Sequence, residues 1–312
     1  MQEQIKDNYY GVLDHGFIAL KDMMGSDTAI EEMARVSYQA GTRKTSDTRG
    51  LLRYLMRLGH SSPFERVEFV FHVGLPIFVA RQWIRHRTAS VNEYSGRYSI
   101  MPMLFYTPDQ ERAQLQSETN KQGSSDDRLT KTEYELYHGG CGFVRDREKE
   151  HYYKNLEAGM SRELARLDLP LSMYTYWHWK IDLHNLFHFL SLRLDPHAQW
   201  EIRQYANVIA HLVQKTCPLA YEAFYDYRLN SKSFSRMEMN LLQHNMLSGL
   251  TLLDPNGGLD THADKMACEL GMTGREIREF CDKIVTPNLN LNPLPDPLPA
   301  QHFEDKIEEA SE

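Results

Sequence analysis

The chain has 312 residues, 41% hydrophobic and 25% charged, the composition of a globular protein with enough core for one large domain or two modest ones. Lys plus Arg is 35 against 43 for Asp plus Glu, a formal charge of −8, which argues against a dedicated nucleic-acid binder. The longest apolar run, around Leu75–Ala80, is far too short to span a bilayer, and the opening MQEQIKDNYY lacks the apolar segment of a secretory signal, so a cytoplasmic protein without a membrane partner is expected.

In chain order, Gly16–Met23 reads as a strand, and Thr28–Tyr38 and Asp47–Leu58 as helices, the second stopped by Gly59. In Glu65–Val73 the residues Val67, Phe69, Phe71 and Val73 share one face and Arg66, Glu68 and His72 the other, the period of a strand. Gly74 ends it, Pro76 suits a first helical turn, and a helix is expected over Ile77–His86. Thr88–Arg97 reads as a loop and Tyr98–Tyr106 as a strand. The polar stretch Thr107–Thr130 reads as a surface insertion or mobile loop. A mostly helical Lys131–Leu156, an aromatic strand Leu171–Lys180 and a helix capped by Asp182 and running to Leu194 follow, then a helix over His197–Lys215. Shorter helices are expected at Ser233–Met246, His262–Leu270 and Thr273–Val285, and an extended or disordered, solvated tail from Pro287. The irregular order of strands and helices argues for α+β. Two regions are expected: a main domain over 1–232, carrying the insertion, and an extension over 233–312.

Cys141, Cys217, Cys268 and Cys281 form no C-x-x-C pair and fit no zinc spacing; they read as free thiols. His184 and His188 have a metal-compatible i,i+4 spacing, but HNLFH lacks the glutamate of H-E-x-x-H and no third ligand is evident, so no metal is expected.

The informative segment is ARQWIRHRTASVNEYSGRYS, Ala80–Ser99. It brings Arg81, Arg85, Arg87 and Arg97 close together with Glu93 as the nearby acid. Like charges this dense repel unless an anion sits among them, and a guanidinium fork matches a phosphate or an imide edge at two points. Ser90, Asn92 and Ser95 add short polar groups, and Gly96 allows close backbone approach, together a pocket for a phosphorylated small molecule. A solvated helix end is the alternative.

Arg85-His86-Arg87, seven residues and then Ser95 resembles the R-H-R-x7-S signature of the flavin-dependent thymidylate synthases. The resemblance extends to His60 before the strand, Gln82, the NEYSGRYS loop, Arg166 ahead of Leu169-Pro170, and FLSLRLDPHAQWEIRQYA at Phe189–Ala206. It spans about residues 15–230; Ser233–Glu312 has no counterpart.

The resemblance implies a twisted antiparallel sheet with long helices, of the thymidylate-synthase-complementing-protein type. It implies methylation of dUMP to dTMP, with 5,10-methylenetetrahydrofolate as carbon donor, NADPH as reductant and FAD as hydride carrier, in a homotetramer whose sites lie between subunits. No enzyme thiolate is required, which suits cysteines lying outside the motifs. Carried over, the dUMP ligands are Gln82, Trp83, Ile84, Arg85, Glu93, Tyr94, Ser95, Gly96, Arg97, Arg166 and Arg193, with Arg193 the catalytic cation beside the uracil. The FAD ligands are His60, Ser62, Arg85, His86, Arg87, Glu93, Asp182, Leu183, His184 and His188. Some members have Asn and Arg at the places of Asp182, His184 and His188, and an ionised acid at 182 cannot donate a hydrogen bond.

Taken singly, several of these residues have plainer readings. His60 could close a helix beside Gly59; Arg166 and Arg193 could pair with Asp168 and Asp195; the Tyr174, Tyr176, Trp177 and Trp179 stripe reads as core or subunit interface. Two competing functions are a methylase of another pyrimidine nucleotide and a non-catalytic nucleotide- or RNA-binding module, the last disfavoured by the net charge.

Overall fold

The computed structural model describes residues 7–36, 47–118, 121–248 and 251–311. In chain order these form β1 (Tyr9–Val12), β2 (Gly16–Met24), α1 (Asp27–Arg35), α2 (Thr48–Leu58), a 3-10 turn (Ser62–Arg66), β3 (Glu68–Pro76), α3 (Ile77–Trp83) and β4 (Ser90–Glu93). There follow β5 (Gln114–Gln116), β6 (Ser124–Arg128), α4 (Lys131–Glu157), α5 (Arg162–Ala165), β7 (Tyr174–Asp182), α6 (Leu183–Arg193), α7 (Trp200–Thr216) and α8 (Pro218–Phe224). The last elements are a π turn (Tyr225–Leu229), α9 (Arg236–Ser248), α10 (Thr261–Glu269), α11 (Gly274–Val285), β8 (Pro297–Leu298) and α12 (Ala300–Ser311).

Period-two alternation places the centre of the fold. On β3, Phe69, Phe71 and Val73 are fully buried; on its antiparallel partner β7, they face Ile181, Trp179 and Trp177. The strands make a six-stranded sheet in the order β4-β7-β3-β2-β1-β8, every pairing antiparallel. Its aromatic face is closed by α3, α6 and α7: Trp83 meets Trp179 edge-on at 5.0 Å and stacks on Phe189 at 4.8 Å, while Tyr205 donates its hydroxyl to the Gly74 carbonyl at 2.9 Å. The α+β class with a twisted antiparallel sheet is therefore the observed one, and the stripe expected as core or interface supplies buried Tyr174, Trp177 and Trp179.

Local chemistry sets the boundaries that position the site. Asp47 caps α2, and Gly59, at φ 75, ends it in the left-handed region; the His60 N–H then returns to the Leu55 carbonyl at 2.9 Å. The strand expected from Glu65 begins at Glu68, because Pro63 initiates a 3-10 turn before it. Asp182 caps α6 as expected, accepting from the Asn185 N–H at 3.0 Å.

Several expectations are corrected. Tyr98–Tyr106 forms no strand: Pro102 lacks a ladder donor, and apart from a bridge between Phe105 and Met173 the segment buries Met101, Met103, Leu104 and Tyr106 as an irregular stretch. The loop expected over Thr88–Arg97 includes β4, which pairs with β7 at the sheet edge. The Thr107–Thr130 stretch folds back as the β5–β6 hairpin, with residues 119 and 120 outside the described residues. It is anchored by Arg112, whose guanidinium meets the buried Glu201 carboxylate at 2.8 and 3.3 Å. Ser37 and Tyr38, the end of the expected Thr28–Tyr38 helix, also lie outside the described residues.

The tail is not solvated throughout. β8 pairs with Tyr9 and Tyr10, and Phe303 of α12 packs with Tyr9 and Phe17. The chain consequently divides after Phe224, not at 233: Tyr225–Asn290 is one unit, and Leu291 onward belongs with the first. Within the smaller unit, Leu241, Ala263, Ala267 and Phe280 form a core, and Lys283 pairs with Glu238 at 2.6 Å. No helix among the described residues is long and apolar enough to cross a membrane.

Candidate active site

Arg193, in the last turn of α6, donates its Nε–H to Nε2 of His86 at 3.0 Å. His86 lies just past α3, edge-on to Phe189 at 4.9 Å and 6.0 Å from the ring of His188. Burial, then repulsion from Arg193 and from His188, lowers the His86 pKa to about 4. The imidazole is thus neutral near pH 7 and accepts at Nε2, which places its proton on Nδ1. Burial also lowers the pKa of Arg193, a guanidinium held partly away from water.

The NEYSGR loop leaves the sheet through β4. Buried Thr175 donates its hydroxyl to Glu93 at 2.8 Å, and the Tyr94 N–H donates to the Tyr176 carbonyl at 2.9 Å. A tight turn follows, in which the N–H groups of Tyr98 and Ser99 both reach the Ser95 carbonyl at 3.1 Å. Ser95 Oγ accepts from the Arg97 N–H at 3.3 Å, so the hydroxyl organises the turn; among the described residues no base is hydrogen-bonded to it. A Cβ on Gly96 would collide with Met101 Sδ and come within 2.9 Å of Arg166 Cδ; only glycine lets Arg166 lie against the loop. Arg97 pairs with Glu163 at 3.1 Å and Arg162 donates to the Tyr98 carbonyl at 2.6 Å, so α5 clamps the loop from outside.

Gln82, Trp83, Ile84 and Tyr94 differ in what they can offer. Gln82 donates its side-chain N–H to Oε1 of Gln199. Trp83 is fully buried and its carbonyl accepts from the His86 N–H at 3.0 Å, whereas Ile84 and Tyr94 are exposed, the Tyr94 hydroxyl bonded to the Ile100 carbonyl at 2.6 Å.

Of the remaining expected residues, Ser62, Asp182 and Leu183 lie where the 3-10 turn meets the start of α6. Glu68 and Asp182 are register partners, and the Leu183 N–H donates to the Val67 carbonyl at 2.8 Å, which sets the 3-10 turn carrying Ser62 against the helix start. His60 is exposed and stacks on Tyr54 at 6.1 Å, and its N–H bond to the Leu55 carbonyl matches the helix-closing reading. Leu183 is fully buried. The Asp182 carboxylate is engaged by its own helix, accepting from the Asn185 N–H and, at 2.7 Å, from its side-chain amide. His184 and His188 lie along α6 toward Arg193.

The electrostatics separate this region from an ordinary surface. Among the described residues, Arg85, Arg87, Arg166 and Arg193 form no ion pair; Asp168 faces His151 at 3.7 Å and Asp195 faces His197 at 2.9 Å, so the ion pairs considered for Arg166 and Arg193 are not made. Guanidiniums without an ion pair, Arg166 against the Gly96 turn and Arg193 on His86, suit an anionic, planar ligand. Thr175, Glu163 and Gln199 were missed from sequence: Thr175 sits in an aromatic strand, Glu163 in a four-residue helix, and only membership of the Phe189–Ala206 block marks Gln199.

Comparison with known proteins gives the family. Residues 19–219 match the family model described as thymidylate synthase complementing protein. The flavin-dependent thymidylate synthase of Wolbachia pipientis wMel is 52% identical over 234 residues, 74% of this chain and 81% of that protein. A protein of the same name from Thermus thermophilus is 47% identical over 279 residues, 88% of this chain and 96% of its own. That coverage is more than residues 1–232 can supply, so the match reaches into the region for which sequence offered no counterpart. The crystal structure of a UMP/dUMP methylase, PolB, from Streptomyces cacaoi with bound 5-Br UMP is 33% identical, with a TM-score of 0.63, covering 70% of this chain and 98% of that one. On the motifs, the fold and these relatives together, the chain belongs to the flavin-dependent thymidylate synthase family.

Proposed function

We propose that this protein methylates dUMP to dTMP, with FAD as cofactor, 5,10-methylenetetrahydrofolate as carbon donor and NADPH as reductant. The observations that carry the reading are two separate placements of guanidiniums without an ion pair among the described residues: Arg193 on neutral His86, which Arg85 and Arg87 flank in sequence, and Arg166 against the Gly96 turn. In this reading Arg85, Arg166 and the Ser95–Arg97 turn bind the phosphate and sugar, with Gln82, Glu93 and the backbone of Trp83, Ile84 and Tyr94 around the nucleoside. Arg193 lies beside the uracil ring, where its charge stabilises negative charge developing on the base. His86 accepts from Arg193 and fixes the direction of the guanidinium plane.

Arg87, His86, His188 and His184, continuing along α6 to Asp182, Leu183, Ser62 and His60, suit a long, dinucleotide-sized cofactor with a pyrophosphate. FAD, when bound there, supplies the hydride chemistry. Asp182 caps α6, so it contributes helix geometry and not a donated hydrogen bond. The thiols take no part: Cys217 is buried and its pKa is pushed up to about 12, chiefly by burial.

Leu136, Phe143 and Val144 on α4, Leu164 on α5 and Leu167 just after it expose apolar surface. This supports a homotetramer with sites completed between subunits. A cytoplasmic location accords with a nucleotide substrate.

The test is release of tritium from dUMP labelled at C5, with methylenetetrahydrofolate and NADPH present. The flavin-loaded protein should release it; a loaded, folded protein that does not would refute the assignment. Flavin absorbance should also bleach under NADPH without oxygen, which a non-catalytic binding module would not do.

A further inference from the structure

A glutamine side chain is ambiguous until a neighbour decides which end faces outward, since one end accepts and the other donates twice. Gln82 has such a neighbour. Its Nε2 donates to Oε1 of Gln199, leaving its own Oε1 and one N–H for other partners. A single contact thus joins the end of α3 to the start of α7.

Gln199 is held by the fold. It occupies the N-cap position of α7, at φ −55 and ψ 136, and its side chain does not cap the helix, so it is available to Gln82. Two residues on, Glu201 is buried and accepts from Arg112 at 2.8 Å and from the Tyr106 hydroxyl at 3.2 Å. One turn further, Tyr205 is tied to the Gly74 carbonyl at 2.9 Å. The turn before Gln199 is braced by Asp195, which accepts from the His197 N–H at 2.8 Å.

We propose that Gln199 is a positioning residue whose side-chain oxygen accepts from the Gln82 amide, and that this polarity of the pair turns the Gln82 carbonyl oxygen toward a hydrogen-bond donor of the nucleoside. That donor is either the imide N3–H of uracil or a ribose hydroxyl. The proposal rests on the placement of Gln82 in the nucleotide site. With the imide as donor the chemical consequence is selectivity: cytosine carries a lone pair at N3, which a carbonyl oxygen rejects. Without Gln199 the Gln82 amide turns freely and offers either end.

The test is equilibrium binding of dUMP, dCMP and 2′,3′-dideoxyuridine monophosphate to the FAD-loaded protein, with thermal melting to confirm folding. Gln199→Leu should weaken dUMP about five- to tenfold, the loss of one neutral hydrogen bond in a protected site. Gln199→Glu retains an acceptor that cannot turn into a donor and should keep dUMP binding within about twofold of wild type. A merely structural role would lower melting in both variants without separating them. If dCMP binding changes little in Gln199→Leu, the donor is the imide; if the dideoxy analogue is the insensitive ligand, it is the ribose hydroxyl. Gln199→Asn, too short to reach Gln82, replaces the leucine variant should that fail to fold. Unchanged dUMP binding in Gln199→Leu, or an equal loss in Gln199→Glu, overturns the proposal. Gln82→Leu separates the two levels: if it weakens dUMP while Gln199→Leu does not, the positioning role alone fails, and if it has no effect, Gln82 leaves the site and the proposal with it.

Discussion

Arg193 and His86 share one hydrogen bond at 3.0 Å in which the imidazole can only be the acceptor. A protonated His86 would place two cations in contact and remove that acceptor. The burial that lowers the histidine pKa to about 4 therefore also preserves the arginine's orientation.

Arg193→Ala should abolish most dTMP formation, by about a hundredfold or more, as when an aligned charge donor is removed from a developing anion. FAD content, read from visible absorbance, should stay near wild type. Turnover within a few-fold of wild type would remove Arg193 from the chemistry.

Stability should decline on the acid side of neutrality. His86, and His72, whose burial and whose neighbours His178 and Lys21 likewise lower its pKa to about 4, both titrate below the ordinary histidine value of about 6.5. A base depressed by folding stabilises the native state above about pH 6.5 and loses that contribution as pH falls toward 4. The urea midpoint should drop between pH 7 and 5, and His72→Gln should flatten the drop. A pH-independent midpoint over that range would contradict it.

Gly96→Ala should weaken dUMP binding about tenfold or more, because a methyl group there meets Met101 and Arg166 and forces the guanidinium off the loop. Titration of dUMP into the flavin-loaded variant measures this directly. Wild-type affinity would mean that Arg166 does not need to lie against the turn.

Glu201→Ala should lower melting by about 10 °C, the effect of roughly 3–5 kcal/mol when one partner of a buried ion pair is removed from a unit of this size. The partner is Arg112, whose guanidinium is left without its carboxylate. The double variant with Arg112→Ala should recover part of the loss in a thermal melt. A double variant as unstable as the sum of the singles would argue against coupling.

Replacing Cys141, Cys217, Cys268 and Cys281 together by Ala or Ser should leave tritium release within a few-fold of wild type. Some thermal stability should be lost at buried Cys217. A folded but wholly inactive variant would revive a thiolate mechanism.

Sequence reading succeeded where cause and effect are local. The alternation in Glu65–Val73, the Asp182 cap and the Gly59 stop each depend on a few adjacent residues, and each lies within a residue or three of its place in the structure. The site was legible as an ordered set of motifs, but its wiring was not. The contact of Gln82 with Gln199 spans 117 positions, and Arg112, inside the stretch read as a surface insertion, finds Glu201 89 positions away. The tail was misread for the same reason: a proline-rich segment shows no local preference, and its partner strand lies at the opposite end of the sequence.

That pairing bears on synthesis. Lys306 and Asp14, which touch through the Asp14 carbonyl at 3.4 Å, are separated by 292 positions, and β8 meets β1 across a similar interval. While the polypeptide is still being translated, Tyr9–Val12 has no cover on its outer side, and its open backbone groups are a template for pairing with a neighbouring nascent chain. Closure waits for Pro297–Leu298 to emerge from the ribosome, and the proline then blunts the new rim against further strands.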